Sequence, residues 1–140
     1  MSAIDDYQAI LKNTNEIALA TAVDNIPNVR IVNFCFMPER PDILYFASDR
    51  DNRKVSEFAR NNAVTFTSIP KDGIPHVRSL KATVQKSART IAEMAPFFIA
   101  VIPGYDETIA AIGGSLDVFE IHVKEAVVIA GFEEPGHVRF

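Results

Sequence analysis

NVRIVNFCFMPERPDILYFASDRDNRKV, residues 28–55, decides how the rest of the chain is read. Residues 29–37 and 43–47 are rich in β-branched and aromatic side chains and read as two strands. Pro38 and Pro41 bracket the turn between them, because proline cannot donate to a sheet ladder. The loop that follows opens a helix with Asn52-Arg53-Lys54, and Asn52 suits the N-cap. Arg30 falls inside the first of these strands, among residues that otherwise look half buried. Arg53 and Lys54 fall in the first helical turn, where the macrodipole is already positive and a cation has the wrong sign. Three cations around one strand end and one helix start either lower stability or meet an anion.

Outward from this stretch the chain alternates between short strands and turns. Ser2 can cap a helix reaching about Asn13, with Ile4, Tyr7, Ile10 and Leu11 on one face. Residues 16–23 (EIALATAV) are short and rich in strand formers, and the turn at 24–28 contains Pro27. The helix capped by Asn52 runs to about Asn61 with Val55, Phe58 and Ala59 as its apolar stripe. Residues 63–69 and 75–86 read as strands around the turn Pro70-Lys71-Asp72-Gly73. Residues 88–101 have helical spacing, with Pro96 expected to break or kink them. Asp106 is expected to cap a second short helix ending at Gly113-Gly114. Residues 116–129 alternate as a closing strand. Six strands, short hairpins and added helices describe a mainly β, α+β antiparallel barrel rather than alternating βαβ units.

Composition bounds the function. A length of 140 residues suits one domain, 1–140. A formal net charge of −4 argues against a general nucleic-acid or anionic-membrane binder, so any anion site is local. No segment approaches the roughly 20 apolar residues of a membrane span. A single cysteine and the acidic start MSAIDDYQAI fit a cytoplasmic protein.

Other chemistry finds little support. His76, His122 and His137 are far apart and lack metal-ligand spacing, so no metal site is expected. Cys35 alternates with Phe34 and Phe36 and reads as a small buried hydrophobe rather than a nucleophile. No catalytic acid or base is evident. For the basic cluster an ordinary explanation exists: Arg53 and Lys54 lie four and three residues before Glu57, each such pair contributing about 0.2–0.5 kcal/mol. Arg30 could equally lie on a solvent-facing strand surface. Against that, Ser48, the helix-start N–H groups and the cations together are the parts of a phosphate site.

The order NVRIVNF, LYFAS, DRDNRK, VSEFARN, AVTFTSI and HVRSLKATVQ resembles the pyridoxamine 5′-phosphate oxidase-like, FMN-binding split-barrel family, most clearly over residues 16–86. The resemblance implies a six-stranded antiparallel split β-barrel. It implies that Arg30 and Lys54, with Arg53 beside them, hold the flavin phosphate of FMN. It places Ile31, Val32 and Asn33 along the isoalloxazine through backbone groups, and Ala47 and Ser48 at the ribityl-phosphate side. It further implies a homodimer with flavin at the subunit interface, acting as a flavin-dependent oxidoreductase on a small-molecule substrate. Related readings are a deazaflavin- or haem-binding split barrel, or a cofactor-free dimeric binding or stress protein. The chain departs from the family in three places. Its end, EEPGHVRF, does not match the C-terminal pattern of arginine and histidine with which pyridoxamine phosphate oxidases recognise the substrate phosphate. Lys81 stands where a small residue is common, and there is no tryptophan to stack on the ring.

Overall fold

The computed structural model describes residues 2–140. The elements are α1 (Ala3–Lys12), β1 (Glu16–Val23), β2 (Ile26–Asn33), β3 (Cys35–Met37), β4 (Arg40–Asp49) and α2 (Arg53–Arg60). They continue with β5 (Ala63–Ser68), β6 (His76–Lys86), α3 (Ile91–Val101), α4 (Tyr105–Ile112), β7 (Leu116–Ile129) and β8 (Gly136–Arg139). The strands form one antiparallel sheet in the order β2-β1-β5-β6-β7-β4-β3, with β8 beside β7. The two ends of this order, β2 and β3, are consecutive in the chain. The sheet therefore curls until its ends meet at Phe34, and they meet without pairing. That gap is the split of a split barrel.

Eight strands stand where the sequence suggests six, for two reasons. The expected strand over 29–37 divides at Phe34, whose N–H donates to Asn15 O at 3.0 Å and ties the crossing point to the start of β1. The tail supplies the other, β8, on the half of the β7 edge that β4 leaves free.

The turn before β2 is tighter than expected. Asp24 and Asn25 both adopt positive φ (53° and 65°), as a two-residue hairpin loop of the I′ kind requires, and these are the residue types that tolerate it best. Pro27 consequently lies inside β2, opposite Ala22. It is tolerated because β2 is an edge strand and the missing N–H belongs to the side facing no neighbour.

Two apolar layers form. Leu19, Val32, Leu44, Phe46, Phe66 and Ile121 fill the barrel, with Tyr7 and Leu11 of α1 and Phe58 of α2 packed against them. On the outside of β3, β4 and β7, Cys35, Met37, Ile43, Tyr45 and Val118 pack against Met94 and Phe98 of α3 and Tyr105 of α4. Successive residues of β4 thus serve opposite faces, and both faces are covered. This is why residues 43–47 read as a continuous apolar run.

Pro96 does not break α3. The helix starts at Ile91 behind a Thr90–Glu93 capping box. Pro96 and Ala92 both lie on its exposed side, where the carbonyl that the ring leaves unpaired meets water. Asp106 does not cap α4 either. Gly104, at φ 74°, occupies the N-cap, and Asp106 with Glu107 sits in the first turn, where acid complements the dipole.

Candidate functional site

Arg30 is the most engaged of the three cations. Its Nη2 donates to Glu57 Oε1 at 2.5 Å, and its Nη1 donates to Thr21 Oγ1 at 3.0 Å and to Leu19 O at 3.3 Å. Thr21 Oγ1 also donates to Glu57 Oε1 at 3.2 Å. With the side chains 20% and 10% exposed, the Arg30–Glu57 pair is largely withdrawn from water. Guanidinium has five N–H donors, so two remain for another acceptor.

Glu57 thus rules out the ordinary explanation of the cluster, in which it would neutralise Arg53 and Lys54 along its own helix. Instead it reaches across to β2, because α2 lies over the β1–β2 hairpin and presents Glu57 to the sheet. No local spacing signals this contact, which depends on tertiary packing.

Lys54 is left without that partner. Among the described residues no carboxylate lies within ion-pair reach of its amine. Burial, and next the charge of Arg30, push its pKa below the ordinary lysine value, with Asp49 pulling weakly the other way. Two cations therefore repel each other at a half-buried point, and only Arg30 has a carboxylate paired to it. Arg53 points elsewhere, into an exposed cleft of about 380 Å³ between α2 and the β1–β2 hairpin that takes in neither Arg30 nor Lys54.

The helix start offers fewer free donors than expected. Asn52 Oδ1 accepts from the Lys54 N–H at 3.1 Å, and Asn52 O accepts from the Val55 N–H at 3.0 Å. Ser48 is buried, and its hydroxyl donates to Asp49 O at 3.1 Å. Ala47, on the opposite face of β4, packs toward the α3–α4 layer. The two cannot both present side chains to one ligand.

Strand β2 supplies backbone instead. Because the Phe34 N–H donates to Asn15 O and the register with β1 runs unbroken, the N–H groups of residues 30 and 32 face β1. Those of Ile31 and Asn33 face the open side of the split. Val32 itself points into the core, while the Ile31 and Asn33 side chains are exposed. The structure thus brings Arg30 and Lys54 together beside a short length of unpaired strand edge. It sets Arg53 to one side and turns Ser48 inward.

The other candidates are accounted for by their surroundings. Burial pushes the Cys35 thiol up to about 12, which keeps it protonated and unreactive. His122 Nε2 lies 2.8 Å from Glu120 Oε1, and His76 Nδ1 lies 2.7 Å from Ile74 O. Among the described residues no cluster of three or more His, Cys, Asp or Glu is arranged to hold a metal ion. Nor is any helix among them long and apolar enough to cross a membrane.

Known structures share this architecture at low sequence identity. A haem-binding protein from Mycobacterium smegmatis superposes with a TM-score of 0.80 at 12% identity, over 99% of this chain and 58% of that one. The chain thus spans little more than half of that relative. General Stress Protein 26 from Bacillus anthracis matches with a TM-score of 0.74 at 14% identity, over the whole of both chains. A FAD-binding protein from Mesorhizobium loti matches with a TM-score of 0.67 at 14% identity, over 90% of this chain and 92% of that one. No curated protein sequence matches the chain significantly. The sequence profile described as pyridoxamine 5′-phosphate oxidase-like matches residues 10–134. With that span covering both the barrel and the basic cluster, the chain belongs to the pyridoxamine 5′-phosphate oxidase-like family of split barrels.

Proposed function

We propose that this chain binds FMN and serves as a flavin-dependent oxidoreductase for a small substrate. The observation that carries the reading is Lys54: a half-buried ammonium, beside a second cation, with no acid of its own. A phosphate there relieves the repulsion, accepts the two N–H groups that Arg30 has left, and restores Lys54 to its ordinary pKa. The fit extends to the strand edge, where the Ile31 and Asn33 N–H groups are placed to orient a flat heteroaromatic ring. Bound flavin supplies the electron-transfer chemistry. The chain's part is to hold the phosphate, fix the ring's orientation and leave one ring face for the substrate.

A second copy of the chain completes the reading. Val29 and Ile31 stand 63% and 55% exposed on the outer face of β2, opposite the small residues Ala20 and Ala18 of β1. Such an apolar strip suits the subunit interface of a homodimer whose flavin lies between the protomers.

The test is the visible spectrum of the protein as purified, followed by titration with FMN. The expected result is a yellow protein, or a colourless one that takes up FMN and quenches its fluorescence. Mass identification of the extracted ligand separates FMN from FAD, a deazaflavin or haem. Protein that is colourless and indifferent to added FMN overturns the reading.

A further inference from the structure

Residues 130–135 connect β7 to β8 and carry Phe132, which is 94% exposed. Its neighbours Glu133 and Glu134 line an acidic hollow with Asp6 and Ala3, beside the first turn of α1. An aromatic side chain this exposed contributes nothing to the fold, and burying it elsewhere would remove some 150–250 Å² of apolar surface from water.

A matching receptor lies at the other end of α1. A cleft of about 380 Å³ opens between the last turn of α1 and the β5–β6 loop, floored by Ile10, Pro70 and Pro75 and rimmed by Lys12 and Lys71, with Asp72 the one acid among them. That volume is in the range that ordinarily admits a small organic ligand, and so admits a phenyl ring. The knob is apolar and flanked by acid; the hole is part apolar and part polar, with Asn13, Thr14 and Ser68 in its wall, and carries two lysines against one acid.

We propose that Phe132 of one copy seats in this cleft of a second copy, and that the contact is reciprocal about a two-fold axis. Helix α1 has ten residues, so its ends are about 15 Å apart. Laying two α1 helices antiparallel brings the acidic end of each against the lysine-rimmed end of the other. Each Phe132 then faces its partner's cleft, and the helix dipoles oppose favourably. The same two surfaces are used twice, as an isologous interface requires. This contact uses neither Arg30 nor Lys54 and does not depend on flavin. Two inserted rings with a charged rim make a small interface, so the association is weak, reversible and sensitive to salt.

Sedimentation velocity over a range of protein concentrations tests it, with flavin content and far-ultraviolet circular dichroism recorded in parallel. Wild-type protein is expected to show a concentration-dependent assembly step that recedes at high salt. Phe132→Ser should weaken that step about tenfold or more while leaving the fold and flavin content unchanged. Lys12→Glu with Lys71→Glu should weaken it similarly. Adding Glu133→Lys and Glu134→Lys to that pair should restore it. Superimposable sedimentation profiles for wild type and Phe132→Ser overturn the proposal, as does failure of the fourfold reversal to restore assembly. Capture of a different protein by wild type, with no self-association, also overturns it.

Discussion

Two clusters of charged side chains lie on the barrel wall, and they are built on opposite plans. On β7, both carboxylate oxygens of Glu120 are used: one accepts from Ser87 Oγ at 2.7 Å, the other meets His122 Nε2 at 2.8 Å. Nearby, Arg40 and Asp42 form a paired hydrogen bond of 3.1 and 3.2 Å, which holds the Asp42 carboxyl below its usual range. At the β2–α2 junction one carboxylate, Glu57, serves Arg30, and Lys54 goes without. The first cluster is closed and holds the surface together. The second holds surplus positive charge out of bulk water, which stabilises nothing until an anion arrives. The difference, rather than the presence of charge, is what singles out the second cluster as the candidate site.

The contrast can be broken most directly at the cations. Replacing Arg30 and Lys54 together by alanine should weaken FMN binding about 100-fold or more, since each loses charge-assisted hydrogen bonds. Fluorescence titration reads this out, and near-wild-type affinity would remove the phosphate cradle. Next in size is Glu57→Ala. It strips a largely buried guanidinium of its carboxylate and should lower unfolding free energy by about 2–4 kcal/mol in urea denaturation. Glu120→Ala should cost about 1–2 kcal/mol and leave FMN affinity unchanged. A loss of flavin there would erase the distinction between the clusters.

The smallest effect has the most informative sign. Lys54→Met should stabilise the flavin-free protein, by no more than about 0.5 kcal/mol, while weakening flavin binding. The direction follows from the lowered pKa of Lys54. Between that lowered value and the 10.5 of the unfolded chain, the unfolded state binds more protons, so stability rises with pH. The penalty is fully present below the folded pKa, and Lys54→Met should remove this alkaline rise. Thermal unfolding of both proteins from neutral to alkaline pH checks it; parallel curves would mean that Lys54 carries no penalty.

Much of the architecture was legible because it is locally encoded. Ser2 and Asn52 cap their helices as their residue types dictate, and the alternation of residues 116–129 does mark β7. What escaped was long-range. Nothing in residues 29–37 shows that Phe34 is tied to Asn15, which is what divides that strand in two. Pro96 reads as a breaker until one knows that its side of α3 faces water. At the site, the cations themselves were legible as a cluster with the wrong sign for a helix start. The partner of Arg30 was not, because the meeting of Glu57 with β2 depends on how α2 lies across the sheet. Likewise, the sequence cannot say that Ser48 faces inward while Ala47 faces α3 and α4.

The open edge of β2 carries a consequence for solubility. An unpaired strand invites another strand to add to it, the route by which sheets aggregate. Four residues of β2 address that edge: 27, 29, 31 and 33. Pro27 has no N–H, and that of Val29 is accepted by its neighbour Asn28 through Oδ1 at 3.0 Å. Only Ile31 and Asn33 keep their donors free. A window two residues wide is too short to template a foreign strand, yet long enough for the polar rim of a planar ring. The edge thus offers a foreign strand fewer donors than its length suggests.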